Sequence, residues 1–149
     1  MLTLDAGCGA KPRGDVNCDL FVGKSPHTKF VIRKTRNFIR CDAHCLPFKD
    51  RTFEVVYSSH LIEHLTCPFM AIKEFSRVSK RYVYIKIPNT AIYLKQRKEH
   101  LYGWDKFTFR QFLSQVFPKV KVYCASEEFL HGRILDHMGG TKKIFRFSN

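Results

Sequence analysis

The stretch that decides the fold is Leu4-Asp5-Ala6-Gly7-Cys8-Gly9. An apolar segment ends in a carboxylate, and two glycines separated by one residue follow it. This pattern is typical of a buried parallel strand that turns sharply and lets its backbone approach a ligand. Pro12 stands where a dinucleotide site has its third glycine, and no P-loop lysine follows. The stretch therefore predicts a turn around a small ligand, in which Asp5 suits a cationic group; a purely structural turn capped by Asp5 is the alternative.

Two further acidic residues, Asp19 and Asp42, each close a short apolar run later in the chain. Because the carboxyl ends of parallel strands meet at one edge of a sheet, we expect both carboxylates to lie beside Asp5 around a nucleoside-sized site. A carboxylate after the second strand can accept hydrogen bonds from both hydroxyls of a ribose. Asp42 is followed by the small Ala43 and can accept a hydrogen bond from an exocyclic amine of a purine. An ordinary Asx turn is the alternative.

Apolar runs alternate with helical patterns along the 149 residues, which predicts one α/β domain, residues 1–149, with helices on the faces of a sheet. Only about nine residues separate the first two strands, fewer than a helical crossover needs, so we expect the first helix to be a single turn or missing. Residues 22–37 are basic, and we expect them to be irregular. The predicted strands are 2–6, 16–20, 38–41, 53–58 and 82–87, the helices 68–79 and 108–116, and an antiparallel edge pair 119–124 and 142–147.

The order and spacing of these segments resemble a known family. The glycine stretch, Asn17-Cys18-Asp19, residues 42–48 and residues 53–65 together are similar to class I S-adenosylmethionine-dependent methyltransferases, with the type 11 branch closest. The resemblance covers about residues 2–90. It implies a minimal form of a single-domain, Rossmann-like sheet that is mostly parallel, has an antiparallel edge strand, and has reduced or missing first helices. It also implies S-adenosyl-L-methionine as the cofactor.

The resemblance also implies which residues bind that cofactor. They comprise Asp5, Gly7 and Gly9 at its methionine end, Asp19 at the ribose with Leu20 beside the adenine, Asp42 and Ala43 at the adenine, and Ser58 and Ser59 at the reacting sulfonium. His60 follows the same strand as the two serines, where the transferable methyl group points. It is therefore the predicted catalytic general base, with Glu63 and His64 orienting its loop.

We expect no metal in this protein, although two segments contain metal-ligating residue types. Residues 60–64 match an H-x-x-E-H metalloprotease signature, which requires both histidines on one face of a long helix. Here a strand precedes the segment and Pro68 soon follows it. Residues 41–45 contain two cysteines, an aspartate and a histidine, but no second cluster completes a zinc site. We expect the six cysteines to be mostly free thiols, with a disulfide only in a hyperthermophile.

The charge of the chain points to a polyanionic partner. It has 26 lysines and arginines against 13 acidic residues, a formal net charge of +13. RNA or DNA is favoured over anionic lipid or an acidic protein, and tyrosines and a tryptophan lie among the cations of residues 90–106. A lysine-rich surface suited to heat is the alternative. No apolar run is long enough for a membrane span and no secretory leader precedes the glycine turn, so we expect a cytoplasmic protein.

The type of methyl acceptor is bounded by what the sequence contains. Ser58-Ser59-His60 replaces the Asn/Asp-Pro-Pro-Tyr motif of base amino-group methylation, and transfer to an N or O acceptor by in-line displacement is expected. Because the chain has few insertions, we expect a large substrate such as RNA, or a protein partner, to complete the site. Two alternatives stay open: a methyltransferase of small molecules or proteins that needs a partner, and a non-catalytic nucleotide-binding or RNA-binding module.

Overall fold

The computed structural model describes residues 1–25, 28–32, 37–88, 99–123 and 143–148, with only the backbone at 25, 28–30 and 143–148. Seven strands form one sheet in the order β5-β2-β1-β6-β7-β9-β8. Their bounds are β1 Thr3–Ala6, β2 Val16–Asp19, β5 Phe38–Arg40, β6 Phe53–Ser59, β7 Ser79–Ile87, β8 Lys119–Val122 and β9 Lys143–Ser148.

The sheet is parallel over its first five strands and antiparallel at its far edge. Strands β5, β2, β1, β6 and β7 pair in parallel, and β9 pairs antiparallel with both β7 and β8. The predicted mostly parallel α/β sheet with an antiparallel edge is therefore confirmed. Because the first five strands run the same way, their carboxyl ends lie along one edge, where ligands bind in open α/β sheets.

The expectation that residues 22–37 are irregular is wrong for the first part of that segment. Strands β3 (Gly23–Ser25) and β4 (Thr28–Ile32) form a separate antiparallel hairpin. Strand β4 ends in the β-branched pair Val31 and Ile32, of which Ile32 is buried and Val31 is exposed. Such residues favour a pleated, half-buried surface, but the many lysines and arginines around them hide this short pattern in the sequence.

Two helices are present among the described residues. Helix α1 (Pro68–Val78) begins with a proline and buries Ala71, Ile72, Phe75 and Val78 against the sheet, as its apolar spacing predicts. Helix α2 (Lys106–Leu113) starts two residues before the predicted helix, because the Asp105 carboxylate accepts hydrogen bonds from the backbone N–H groups of Phe107 and Thr108. In the part of the chain that is described, no helix is long and apolar enough to cross a membrane.

No helix lies between β1 and β2, as the short spacing predicts, and a tight loop takes its place. Gly14 packs flat on the first strand: a Cβ atom there would lie 2.6 Å from the Asp5 nitrogen and 2.5 Å from the Val16 oxygen. The Asn17 side chain holds this loop, accepting a hydrogen bond from the Gly14 nitrogen and donating one to the Gly14 oxygen, both at 2.9 Å. The loop thus lets two adjacent parallel strands be joined in nine residues.

Arg77 fixes the loop that leads from β5 to β6. Its guanidinium donates to the carbonyl oxygens of Leu46 and Phe48 at 3.0 and 2.8 Å, and to the carboxylates of Asp50 and Glu74 at 2.7 Å. The Glu74 carboxylate in turn accepts from the Leu46 nitrogen at 2.7 Å. These bonds tie the loop to the C-terminal end of α1, just before β6 begins.

Candidate functional site

The glycine turn after β1 is held by the second strand. The Gly7 nitrogen donates to the Cys18 oxygen at 2.9 Å, and the Gly9 nitrogen donates to Asp19 Oδ2 at 3.0 Å. The other oxygen of Asp19 accepts from the Phe21 nitrogen at 3.0 Å. Gly7 and Gly9 have φ angles of +71° and +56°, which L side chains rarely adopt. Asp19 therefore links the turn after β1 to the chain that leaves β2.

Gly7 is closely packed, whereas Gly9 has open space beside it. A Cβ atom on Gly7 would lie 2.8 Å from the Leu61 side chain, so Gly7 allows the loop after β6 to approach closely. A Cβ atom on Gly9 would meet nothing within 4 Å. The backbone at Gly9 thus faces open space at the edge of the sheet, and a ligand can approach it there.

Asp5 is a buried carboxylate at this turn, with only 2% of its surface exposed. Its Oδ2 accepts a hydrogen bond from the Arg13 nitrogen at 2.9 Å. Burial raises the pKa of Asp5 from 3.8 to about 6, against the lowering effect of that hydrogen bond and of the Arg13 charge. A buried carboxylate with a raised pKa beside an open turn is a common mark of a ligand site.

Arg13 is a residue of this region that the sequence analysis did not single out. Its guanidinium donates to the Tyr57 hydroxyl at 3.1 Å and lies 5.6 Å from the centre of the Tyr57 ring. Tyr57 in β6 is the register partner of Asp5 in β1. Arg13 therefore covers the sheet next to the buried carboxylate, a position that no local pattern in the sequence reveals.

Asp42 and Ala43 follow β5, the neighbour of β2. Asp42 Oδ1 accepts from the His44 nitrogen at 2.9 Å and lies 2.6 Å from His44 Nδ1, so the Asx turn kept as an alternative is present. These bonds lower the pKa of Asp42. About half of the Asp42 side chain is exposed, and Ala43 is buried. The neighbouring Leu20 is an exposed apolar side chain next to Asp19. An Asx turn leaves Asp42 accessible to a ligand.

Ser58, Ser59 and His60 lie at the end of β6. Ser58 pairs in register with Ala6, and its buried hydroxyl has no hydrogen-bond partner among the described residues. An unsatisfied buried hydroxyl is uncommon and is consistent with a polar ligand here. His60 has a φ angle of +54°, and its nitrogen donates to the oxygen of Lys86 at 2.8 Å. Lys86, a buried lysine in β7, was also not identified from the sequence.

The strand order gathers these groups. Three adjacent strands, β5, β2 and β1, carry the acidic residues Asp42, Asp19 and Asp5 at or just after their carboxyl ends. The next strand, β6, carries residues 58–60 at its carboxyl end. The segment that matches a protease signature contains only a 3₁₀ turn, Ile62–His64, and not the long helix that such a protease requires. The geometry is that of a polar edge with an open glycine turn, suited to a nucleoside with a cationic group.

The chain is similar to known methyltransferases. Residues 16–85 match the family described as a methyltransferase domain. The match begins at β2, directly after the connection that lacks a helix. No match was found among curated proteins.

Solved structures share the fold across nearly the whole chain. An S-adenosylmethionine-dependent methyltransferase of Thermotoga maritima has a TM-score of 0.69 and 17% identity, over 99% of this chain and 81% of that one. The Synechocystis magnesium protoporphyrin IX methyltransferase with bound S-adenosylhomocysteine has a TM-score of 0.64 and 15% identity, over 100% of this chain and 74% of that one. A complex of the Haloferax volcanii methyltransferase activator Trm112 with a methyltransferase has a TM-score of 0.63 and 14% identity, over 98% of this chain and 80% of that one.

These matches confirm the resemblance: the chain has the Rossmann-like fold of class I S-adenosylmethionine-dependent methyltransferases, in a reduced form. They also support S-adenosylmethionine as the cofactor. The open turn at Gly9, the buried Asp5 and the unpartnered Ser58 hydroxyl fit such a molecule, which carries both a nucleoside and positive charge.

Asp19 has a structural role that can be measured without any ligand. We expect Asp19→Ala to lower the free energy of unfolding by about 1–3 kcal/mol, because two backbone N–H groups lose a charged acceptor. Urea denaturation of the ligand-free protein measures this. Asp42→Ala is the matched control: its carboxylate is half exposed and, within the described part of the chain, hydrogen-bonds to His44 alone, so its loss costs less. Equal stability of Asp19→Ala and the parent would show that the carboxylate does not hold the turn.

Proposed function

We propose that this chain, as a single domain over residues 1–149, transfers the methyl group of S-adenosylmethionine to a nitrogen or oxygen atom of an acceptor. The observation that carries the proposal is the alignment of Asp5, Asp19 and Asp42 with the ends of three adjacent parallel strands, beside a glycine turn with open space. The methyltransferase domain match, which spans two of those strands, supports the same conclusion.

In this proposal each part of the polar edge holds a different part of the cofactor. Asp5, Gly7 and Gly9 hold the methionine end, where the buried carboxylate stabilises positive charge. The Asp19 carboxylate, already oriented by two backbone N–H groups, accepts the ribose hydroxyls through its remaining lone pairs. Leu20 packs beside the adenine, which Asp42 and Ala43 contact, and Ser58 and Ser59 lie near the sulfonium.

S-adenosylmethionine supplies a methyl group on a sulfonium, which is already a good leaving group. The chain therefore has mainly to align the acceptor and to keep water away. His60 is the proposed general base, at the end of β6 and partly exposed to an incoming acceptor. Its Nδ1 faces Oε1 of the buried Glu63 at 3.3 Å, and Nε2 is the nitrogen that takes a proton from the acceptor in this proposal.

RNA is the acceptor that the charge of the chain favours. A formal charge of +13 on 149 residues attracts a phosphate backbone, and the exposed Tyr102 near the His60 loop offers a surface for base stacking. A protein partner that completes the site is also proposed, since a methyltransferase of the same fold is known in complex with an activator protein. Location in the cytoplasm remains a prediction.

The alternative is a nucleotide-binding or RNA-binding module that keeps the fold without turnover. The missing helix between β1 and β2 favours it, because that helix is part of the usual cofactor site. Transfer of tritiated methyl groups to fractionated RNA, protein and small-molecule pools separates the two functions. We expect label in the RNA fraction. Label in another fraction would redirect the acceptor assignment, and cofactor binding without label anywhere, even with cell extract added, would favour the module.

The raised pKa of Asp5 gives a signature of cofactor binding. At pH 6 about half of the Asp5 side chains carry a proton, since the pKa is about 6. A cationic ligand favours the carboxylate, so we expect S-adenosylmethionine to release part of a proton at pH 6 and to bind more weakly below it. Calorimetric titration in buffers of different ionisation enthalpy measures the release. Asp5→Asn serves as the comparison, and the same release from that variant would contradict the role of Asp5.

His60 is tested by turnover and binding measured together. We expect His60→Asn to lower kcat by a factor of about 10²–10⁴, with the Kd for S-adenosylmethionine nearly unchanged, because the imidazole faces the acceptor. Asn is the main substitution since it tolerates the positive φ at this position, whereas His60→Ala adds backbone strain. A large rise in Kd for both variants would make His60 a structural residue rather than a base.

A further inference from the structure

A second cluster of polar side chains lies beside the candidate site, where residues 99–104 pack on the 3₁₀ turn after β6. The nitrogens of Leu101 and Tyr102 donate to the Glu63 oxygen at 2.9 and 3.2 Å. The rings of His64 and His100 meet edge to face, with their centres 4.8 Å apart. One ligating atom from each of Glu63, His64 and His100 lies within 4.8 Å of the other two. The chain thus brings His100 next to two consecutive residues, Glu63 and His64.

The Glu63 carboxylate lacks the partners that a buried anion needs. The residue is 1% exposed, and neither of its side-chain oxygens has a hydrogen-bond partner among the described residues. Two imidazoles face Oε1 without hydrogen-bonding geometry: His60 Nδ1 at 3.3 Å and His64 Nε2 at 4.0 Å. Burying an ionised carboxylate costs several kcal/mol unless a cation compensates it. A cation at Glu63 would offset this cost.

The orientation of His64 indicates what carries that charge. Its Nδ1 lies 2.8 Å from the Glu99 carbonyl oxygen, which can only accept, so Nδ1 is the protonated nitrogen. In the neutral ring Nε2 then presents its lone pair towards Glu63, and two electron-rich atoms face each other. A histidine whose other nitrogen donates to a backbone carbonyl is the usual arrangement of a metal ligand.

We propose that Glu63, His64 and His100 bind one divalent transition-metal ion of the Zn²⁺ class. Two imidazoles and one carboxylate suit Zn²⁺, whereas Mg²⁺ and Ca²⁺ prefer oxygen ligands alone. Ligand atoms around tetrahedral zinc are separated by about 3.3 Å, given bonds of about 2.0–2.1 Å. The three ligand atoms reach this spacing when they close by up to about 1.5 Å, a movement within the reach of side-chain rotation.

Three protein ligands leave a fourth position for water or another oxygen, as in catalytic rather than structural zinc sites. The arrangement differs from the protease signature, because His60 is not a ligand and the glutamate binds the ion itself. Glu63 also faces His60, the proposed general base, at 3.3 Å, but an ion bound by these three residues would be retained by a protein that transfers no methyl group. The competing explanation is a network without metal, in which a protonated His60 or His64 neutralises Glu63.

Metal titration of the full chain decides between the two. Protein stripped with a chelator is titrated with Zn²⁺ and, separately, with Co²⁺, and bound metal is counted by elemental analysis. We expect one equivalent of tightly bound metal, and a Co²⁺ visible spectrum typical of nitrogen and oxygen ligands. Excess Mg²⁺ is not expected to displace it. Absence of stoichiometric binding, or an intense sulfur-to-cobalt charge-transfer band, would overturn the proposal.

Variants assign the ion to this cluster. We expect Glu63→Gln and His100→Ala each to weaken binding at least about tenfold, Glu63→Gln being nearly the same shape as the native residue. His44→Ala is the matched control, because its imidazole also faces a carboxylate, 2.6 Å from Asp42, yet lies outside the cluster. Circular dichroism checks that each variant is folded. Unchanged affinity in folded Glu63→Gln, or equal loss in His44→Ala, would show that the ion binds elsewhere.

Discussion

The Asp19 carboxylate is the group on which the polar edge of this protein depends. It accepts from Gly9 in the turn after β1 and from Phe21 after its own strand, and so joins the two ends of neighbouring strands. No helix follows the first strand to hold that turn. Here nine residues must make the connection, and Gly14, packed on the β1 backbone, makes the tight path possible. The geometry of the turn is thus fixed by side chain and backbone contacts rather than by a helix.

The burial of Asp5 beside this turn carries an energetic cost. The pKa of Asp5 is raised from 3.8 to about 6 by burial. Since each pKa unit is worth about 1.4 kcal/mol, keeping Asp5 ionised at neutral pH costs the fold roughly 3 kcal/mol. Its contribution to stability falls as pH rises from about 4 to 6, because the folded state holds the proton over that range. The hydrogen bond and the charge of Arg13 offset part of this cost, and a cationic ligand at the turn would offset more.

Much of the fold could be predicted from the sequence, because strands and helices with strong apolar spacing carry their own signal. The five parallel strands, helix α1 and the absence of a helix after β1 follow from local pattern and from counting residues. The hairpin of β3 and β4 could not be predicted in this way, because its few β-branched residues are hidden among many cations. The hairpin is also separate from the sheet that the pattern describes.

The candidate site, too, could be predicted only in part from the sequence. The acidic ends of strands and the glycine turn can be recognised along the chain, since parallel strands bring their carboxyl ends together. Arg13 against Tyr57 and His100 against His64 depend on packing between segments 44 and 36 residues apart, so no local spacing could indicate them. The Asx turn at Asp42 was foreseen only as an alternative, because local hydrogen bonds and ligand contacts use the same residue types.

The central claim is that the carboxyl edge of the parallel strands holds an adenosyl group between acidic residues. A crystal structure of the chain with S-adenosylhomocysteine tests it most directly. We expect the ribose at Asp19, the adenine beside Asp42 and Ala43, and the amino acid end at the turn formed by Gly7 and Gly9. A nucleoside bound elsewhere on the protein, or an edge that contains only solvent at saturating ligand, would contradict it.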